Sequence, residues 1–150
     1  MKPRFPVNLI AALILAPLPA FASLGGNLSS VNSDQENMKA QSRVTRTAAR
    51  YSIHESLTPA GTTVREYTSE SGTVFGVAWM GPVPPDLRQI LGTYFAVYTN
   101  AKNVRRAGHR HLLVQQADLV VRSHGHLRAF SGSAYLSNSL PQGVSANDIQ

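Results

Sequence analysis

Apolar residues open this chain as a block, then alternate in twos, then recur at helical spacing, then alternate again. The opening block is Leu9 to Leu18 (LIAALILAPL), preceded by Lys2 and Arg4 and followed by Ala20-Phe21-Ala22. A basic start, a short apolar run and small residues at the two positions read by signal peptidase predict a cleavable export leader over residues 1–22. A membrane-spanning helix needs roughly 20 apolar residues, which this run does not supply. Pro17 and Pro19 also break a helix here. No later segment comes near that length, so no transmembrane segment is expected after cleavage. The leader lacks paired arginines, which favours the general secretion route over the twin-arginine route.

Residues 23–32 are small and polar, with Gly25-Gly26, and read as a flexible lead-in. Residues 33–150 read as a single domain. Ser33-Asp34-Gln35-Glu36 has the form of a capping box, which predicts a helix from Asp34 to about Arg46 with a thin apolar stripe. Tyr51 to Leu57, Thr62 to Tyr67 and Thr73 to Trp79 then read as a three-stranded meander, with turns at Thr58-Pro59-Ala60-Gly61 and Ser69-Glu70-Ser71-Gly72. In the third strand Phe75, Val77 and Trp79 share one face by simple alternation. Pro85 and Asp86 suit a helix start, and Leu87, Ile90, Leu91, Tyr94, Phe95 and Tyr98 recur at helical spacing. This is the main helix, and Leu91 and Phe95 stand on its strongest face. Leu112-Leu113-Val114 reads as a short strand. Asp118 to Ser123 and His126 to Ser133 read as a hairpin turning at His124-Gly125, with Leu119, Val121 and Phe130 on one face. The fold class is therefore α+β. An antiparallel sheet of five or six strands, meander plus hairpin, carries one main amphipathic helix on a face and a thinner N-terminal helix.

Composition narrows the chemistry. There is no cysteine, so disulfides, thiolate metal sites, cysteine nucleophiles and lipid attachment at the leader's cleavage site are excluded. Without Lys2 and Arg4, 12 basic side chains face 8 acidic ones, a net of +4. Lys102, Arg105, Arg106 and Arg110 lie together in a stretch without acids and form a candidate anion-binding loop. The plainer alternative is a solvated connection. The partner implied is an anionic envelope component or an acidic protein; an exported chain is not expected to meet nucleic acid.

Four of the five histidines form two pairs, His109/His111 and His124/His126. Two residues apart on a strand, such side chains point to one face and can share an ion. They are the candidate metal ligands, although Asp118 is the sole acid nearby and arginines flank His109. Ser131-Gly132-Ser133 is not a nucleophile elbow. Glu55 and Glu66 could be cross-strand neighbours, which on a hairpin usually means two solvated surface acids. Arg65, Glu66, Arg88 and Arg128 stand in apolar surroundings, either on outward faces or paired across the structure. No catalytic residue is assigned and no cofactor is called for. The inventory leans away from an enzyme and toward an exported, soluble binding or accessory domain of the cell envelope, in the periplasm or secreted. The alternative is a small metal-binding protein, or a metal-dependent enzyme, using the paired histidines.

Several short stretches share one source. They are Ala22-Ser23-Leu24-Gly25-Gly26, Val64-Arg65-Glu66-Tyr67, Val77-Ala78-Trp79, and Pro85-Asp86-Leu87-Arg88-Gln89 with Leu91-Gly92 and Tyr94-Phe95. Further along come Asp118-Leu119-Val120-Val121, Arg128-Ala129-Phe130-Ser131-Gly132 and Gly143-Val144-Ser145. Together they resemble an uncharacterised family of exported proteobacterial proteins, the domain-of-unknown-function family number twenty-eight forty-four. The resemblance covers nearly all of the chain after the leader. It implies export and a shared small fold, and it implies no activity, cofactor or catalytic residue.

Overall fold

A computed structural model describes residues 24–104 and 111–150. The leader read over residues 1–22 lies outside the described residues. The elements run α1 (Leu28–Asn37), β1 (Ser42–Thr47), β2 (Tyr51–Leu57), β3 (Thr63–Ser69), β4 (Val74–Gly81), α2 (Leu87–Leu91), a 3-10 turn over Gly92–Tyr94, α3 (Phe95–Val104), β5 (His111–Gln116), β6 (Leu119–His126) and β7 (Ala129–Leu136). The class is α+β with one open antiparallel sheet, but the sheet has seven strands rather than five or six, in the order β1-β2-β3-β4-β7-β6-β5.

The additional strand comes from the segment expected to be helical. The helix expected over Asp34–Arg46 is replaced by α1 and β1. Asn27, not Ser33, caps α1, its side-chain oxygen accepting from the Ser30 amide at 3.2 Å. Ser33 instead donates to the Ser29 carbonyl inside the helix. Lys39 takes a φ of 51°, which ends helical bonding. The β-branched run in Arg43-Val44-Thr45-Arg46-Thr47 then pairs with β2. Residues 24–32, read as a lead-in, are tied to the rest of the fold. Leu24 is buried, its amide bonds to the Ile90 carbonyl, and α1 starts at Leu28.

Two apolar layers sandwich the sheet. On one face Val64, Val74, Val77, Trp79, Val114, Leu119, Val121, Ala134 and Leu136 pack with Val31 of α1, Ile90 and Leu91 of α2, and Tyr98 of α3. On the other, Tyr67, Phe75, Ala78, Val120 and Tyr135 pack under Ile149, with Leu140, Val144 and Ala146 at the rim. The expected sharing of a face by Phe75, Val77 and Trp79 fails at a β-bulge. Tyr67 pairs with Gly76 and Thr68 with Val74, leaving Phe75 as the extra residue. An inserted residue flips the alternation, so Phe75 joins the second face.

Two further corrections concern the helix and the hairpin. The main helix is interrupted at Gly92, whose φ of 51° only glycine adopts without strain. The burial that the periodicity promised falls mainly on Ile90, Leu91 and Tyr98, while Phe95 is half-buried beneath the Arg88 guanidinium, 4.8 Å from its ring centroid. Leu91→Ala is therefore expected to cost about 2–5 kcal/mol and Phe95→Ala distinctly less; urea denaturation of the two variants gives the order directly. The hairpin turns at Leu127-Arg128 rather than His124-Gly125. A turn at His124-Gly125 would set Val121 against Arg128; the observed register sets it against Ala134, apolar on apolar. Both registers have the same parity, so Leu119, Val121 and Phe130 do share a face.

Candidate functional site

Strand order sorts the charges. Strands β1–β4 come from residues before Asp86, and the block β7-β6-β5 comes from residues after it. Residues 24–86 carry 5 basic and 6 acidic side chains, while residues 87–150 carry 7 basic and 2 acidic ones. Among the described residues this second half carries Arg88, Lys102, Arg122 and Arg128 against Asp118 and Asp148, while Arg105, Arg106 and Arg110 lie outside them. Neither acid of that half lies on the β6–β7 turn. Asp118 lies at the opposite end of β6, where its carboxylate accepts from the Tyr94 hydroxyl at 3.5 Å. Asp148 accepts from the Ser145 amide at 2.7 Å, in a capping box beyond the last strand.

Along β6 the alternation turns from apolar to polar on the second face. Val120 is buried there, and Arg122, His124 and His126 follow it at the same parity, all exposed. Their neighbours on β7 are Ser133, Ser131 and Ala129. Two depressions adjoin at Met80 and Ser131. The first, of about 210 Å³, is lined by Arg122, His124, Ser133 and Gln150 besides those two. The second, of about 390 Å³, is lined by Pro82, Arg128 and Phe130 among others. No acidic side chain lines either. Hydroxyls and guanidinium groups over an open surface offer charge-assisted hydrogen bonds to an anion.

The candidate residues from the sequence fall unevenly. Lys102 lies in α3, whereas Arg105, Arg106 and Arg110 of the proposed anion-binding loop lie outside the described residues, as does His109. His111, His124 and His126 are drawn together in register, since β5 sets His111 opposite His124. Among the described residues no three His, Asp or Glu side chains are placed to hold a metal ion. Arg122 entered no candidate list. The signal for it was the near absence of acids between Asp86 and Asp148, which the hairpin misplacement concealed.

Glu55 and Glu66 are not a pair of surface acids. Register places Glu55 opposite Arg65, which donates to it at 2.8 Å and also to the Gln150 carbonyl at 2.8 Å. Glu66 is on the other face, 2% exposed, opposite His54. Neither Glu66 oxygen has a hydrogen-bond partner, nor does Ser56 Oγ on the same face. Burial, with the Asp34 charge second, pushes the Glu66 carboxyl up to about 9. Burial likewise pushes Asp34 up to about 7, partly offset by the bond it accepts from Gln89 Nε2 at 2.8 Å. His54 bonds Thr45 and Thr68 through its two ring nitrogens, and burial pushes its pKa down. This cluster lies between α1 and the sheet, out of a substrate's reach. Its chemistry is that of protonated acids held in a core.

Searches of curated proteins and of solved structures find no match to this chain. The model of one family, described as protein of unknown function (DUF2844), matches residues 20–149. With well over half of the chain covered by that match, the chain belongs to the DUF2844 family.

Proposed function

We propose that this chain is an exported, non-enzymatic binding domain of the cell envelope whose basic half engages an anionic envelope component or an acidic protein. One observation carries the reading: Arg122 and Arg128 stand beside two depressions that no acidic side chain among the described residues lines. Lys102, Arg105, Arg106 and Arg110 belong to the same half by sequence. They precede β5, whose first residue pairs with His124. The three-part leader supports export to the periplasm or beyond. The mechanism is charge steering with hydrogen bonding at the surface, so affinity falls as salt rises and the Debye length shrinks below about 8 Å.

The test uses the full chain exported through its own leader, and soluble polyglutamate as the anion. The processed protein is expected to bind it at low salt and to release it at high salt. Arg122→Gln with Arg128→Gln should weaken binding severalfold. Thermal stability should stay within about 0.5 kcal/mol, because both side chains are exposed. Binding that ignores both salt and these arginines would refute the reading.

A further inference from the structure

The β6–β7 turn shows a combination that charge alone does not explain. Leu127 at its tip is 92% exposed, and Arg128 beside it holds a φ of 63°. Solvated tight turns favour small polar residues and glycine at such positions. Met80 and Val83, 63% and 48% exposed, lie at the same end of the sheet, since β4 finishes at Gly81 against Phe130. Three of the six exposed large hydrophobic side chains among the described residues thus stand at one end. His126 and Arg128 accompany them at the turn and Arg122 stands midway along β6, all three exposed. Of the acids near this hairpin, Asp118 is at the opposite end of β6 and none lies between it and Asp148, while Asp86 stands beside Val83.

From this we infer that the end of the sheet carrying the β6–β7 turn docks on an anionic lipid surface. Leu127 enters the headgroup region, Met80 and Val83 follow at its margin, and Arg122, His126 and Arg128 face lipid phosphates. The inference rests on the proposed anion-binding function and names its partner. Two features favour a bilayer over the other anions. An apolar tip flanked by basic side chains matches a surface that is apolar below and anionic above, whereas a soluble anionic polymer offers Leu127 nothing to enter. Addition of a partner's strand is not available at this end, because β6 and β7 are each paired on both sides.

Co-sedimentation with vesicles tests it, using phosphatidylcholine alone and phosphatidylcholine mixed with phosphatidylglycerol. The exported, processed chain should sediment with the mixed vesicles at low salt and stay in solution with phosphatidylcholine alone. Each of Arg122→Gln and Arg128→Gln should weaken vesicle binding roughly fivefold. Leu127→Ser should weaken it about tenfold or more while leaving polyglutamate binding unchanged, because it removes the apolar insertion and no charge. Vesicle binding indifferent to Leu127→Ser would overturn the docking geometry. Polyglutamate binding without vesicle binding would overturn the lipid partner and leave the anion-binding function standing. Loss of both would overturn both.

Discussion

Glu66→Gln is expected to flatten the dependence of stability on pH, with the gain largest near pH 8 to 9. The folded chain holds the Glu66 proton up to about 9, against an ordinary 4.5, and the Asp34 proton up to about 7, against 3.8. Unfolding releases both into water. Each group therefore stabilises the fold fully below its unfolded pKa and loses that contribution as pH climbs to its folded one. The slope is about 1.4 kcal/mol per pH unit while one group differs between the two states. Over the Glu66 window this amounts to on the order of 5 kcal/mol, a large share of a small domain's stability. The parent should thus be most stable in mild acid and weaken steadily toward alkaline pH. Glutamine keeps the shape and cannot ionise, so only the Asp34 slope should survive, ending near pH 7. Urea denaturation of parent and variant across this range is the check. A parent whose stability holds level between pH 5 and 9 would show that Glu66 is not held neutral in the fold.

Gly132→Ala is expected to destabilise the fold strongly. Gly132 lies on β7 opposite Trp79 of β4 and Ser123 of β6. A Cβ there would come within 2.3 Å of the Trp79 ring and 2.6 Å of the Arg122 carbonyl oxygen. The ring cannot swing aside, because Trp79 is 4% exposed in the helix-side core, and the carbonyl belongs to the β6 backbone. Overpacking of this kind typically costs about 3 kcal/mol, and here it strains two strand pairings as well. Trp79 is the sole tryptophan, so it reports its own displacement. The variant should melt earlier, and its fluorescence should shift to the red as the ring loses its packing. Unchanged emission with an unchanged melting temperature would mean that β7 relaxes away from β4 at little cost.

How far the fold could be read in advance depended on whether a segment carried one signal or two. Strands β2, β3 and β4 alternate or run apolar between turns rich in glycine and serine, and all three were legible. The segment Asp34–Thr47 carried two signals. Its capping-box pattern competed with Asn27, and the β-branched Val44, Thr45 and Thr47 competed with the helix periodicity. Pairing with β2 decided for a strand, and that is tertiary information. The bulge at Phe75 is likewise invisible to an alternation rule. At the hairpin, His124-Gly125 is a sound local turn, overridden by the gain from setting Val121 against Ala134. The same error hid the basic surface, because a shorter hairpin leaves Arg122 and Arg128 as scattered outward residues. Burial of Glu66 was partly legible, since Val64, Glu66 and Thr68 share a parity in β3. What was missing was α1, which covers that face with Asp34 and Gln35.

Binding on the β7-β6-β5 half of the sheet is open to a direct test, the mapping of amide chemical shifts while soluble polyglutamate is added. The amides of Arg122, His124, Arg128, Ser131 and Ser133 should move together and return when salt is raised, with β1, β2 and β3 unperturbed. Shifts centred on β1–β3, or none at concentrations where the anion is retained, would contradict it.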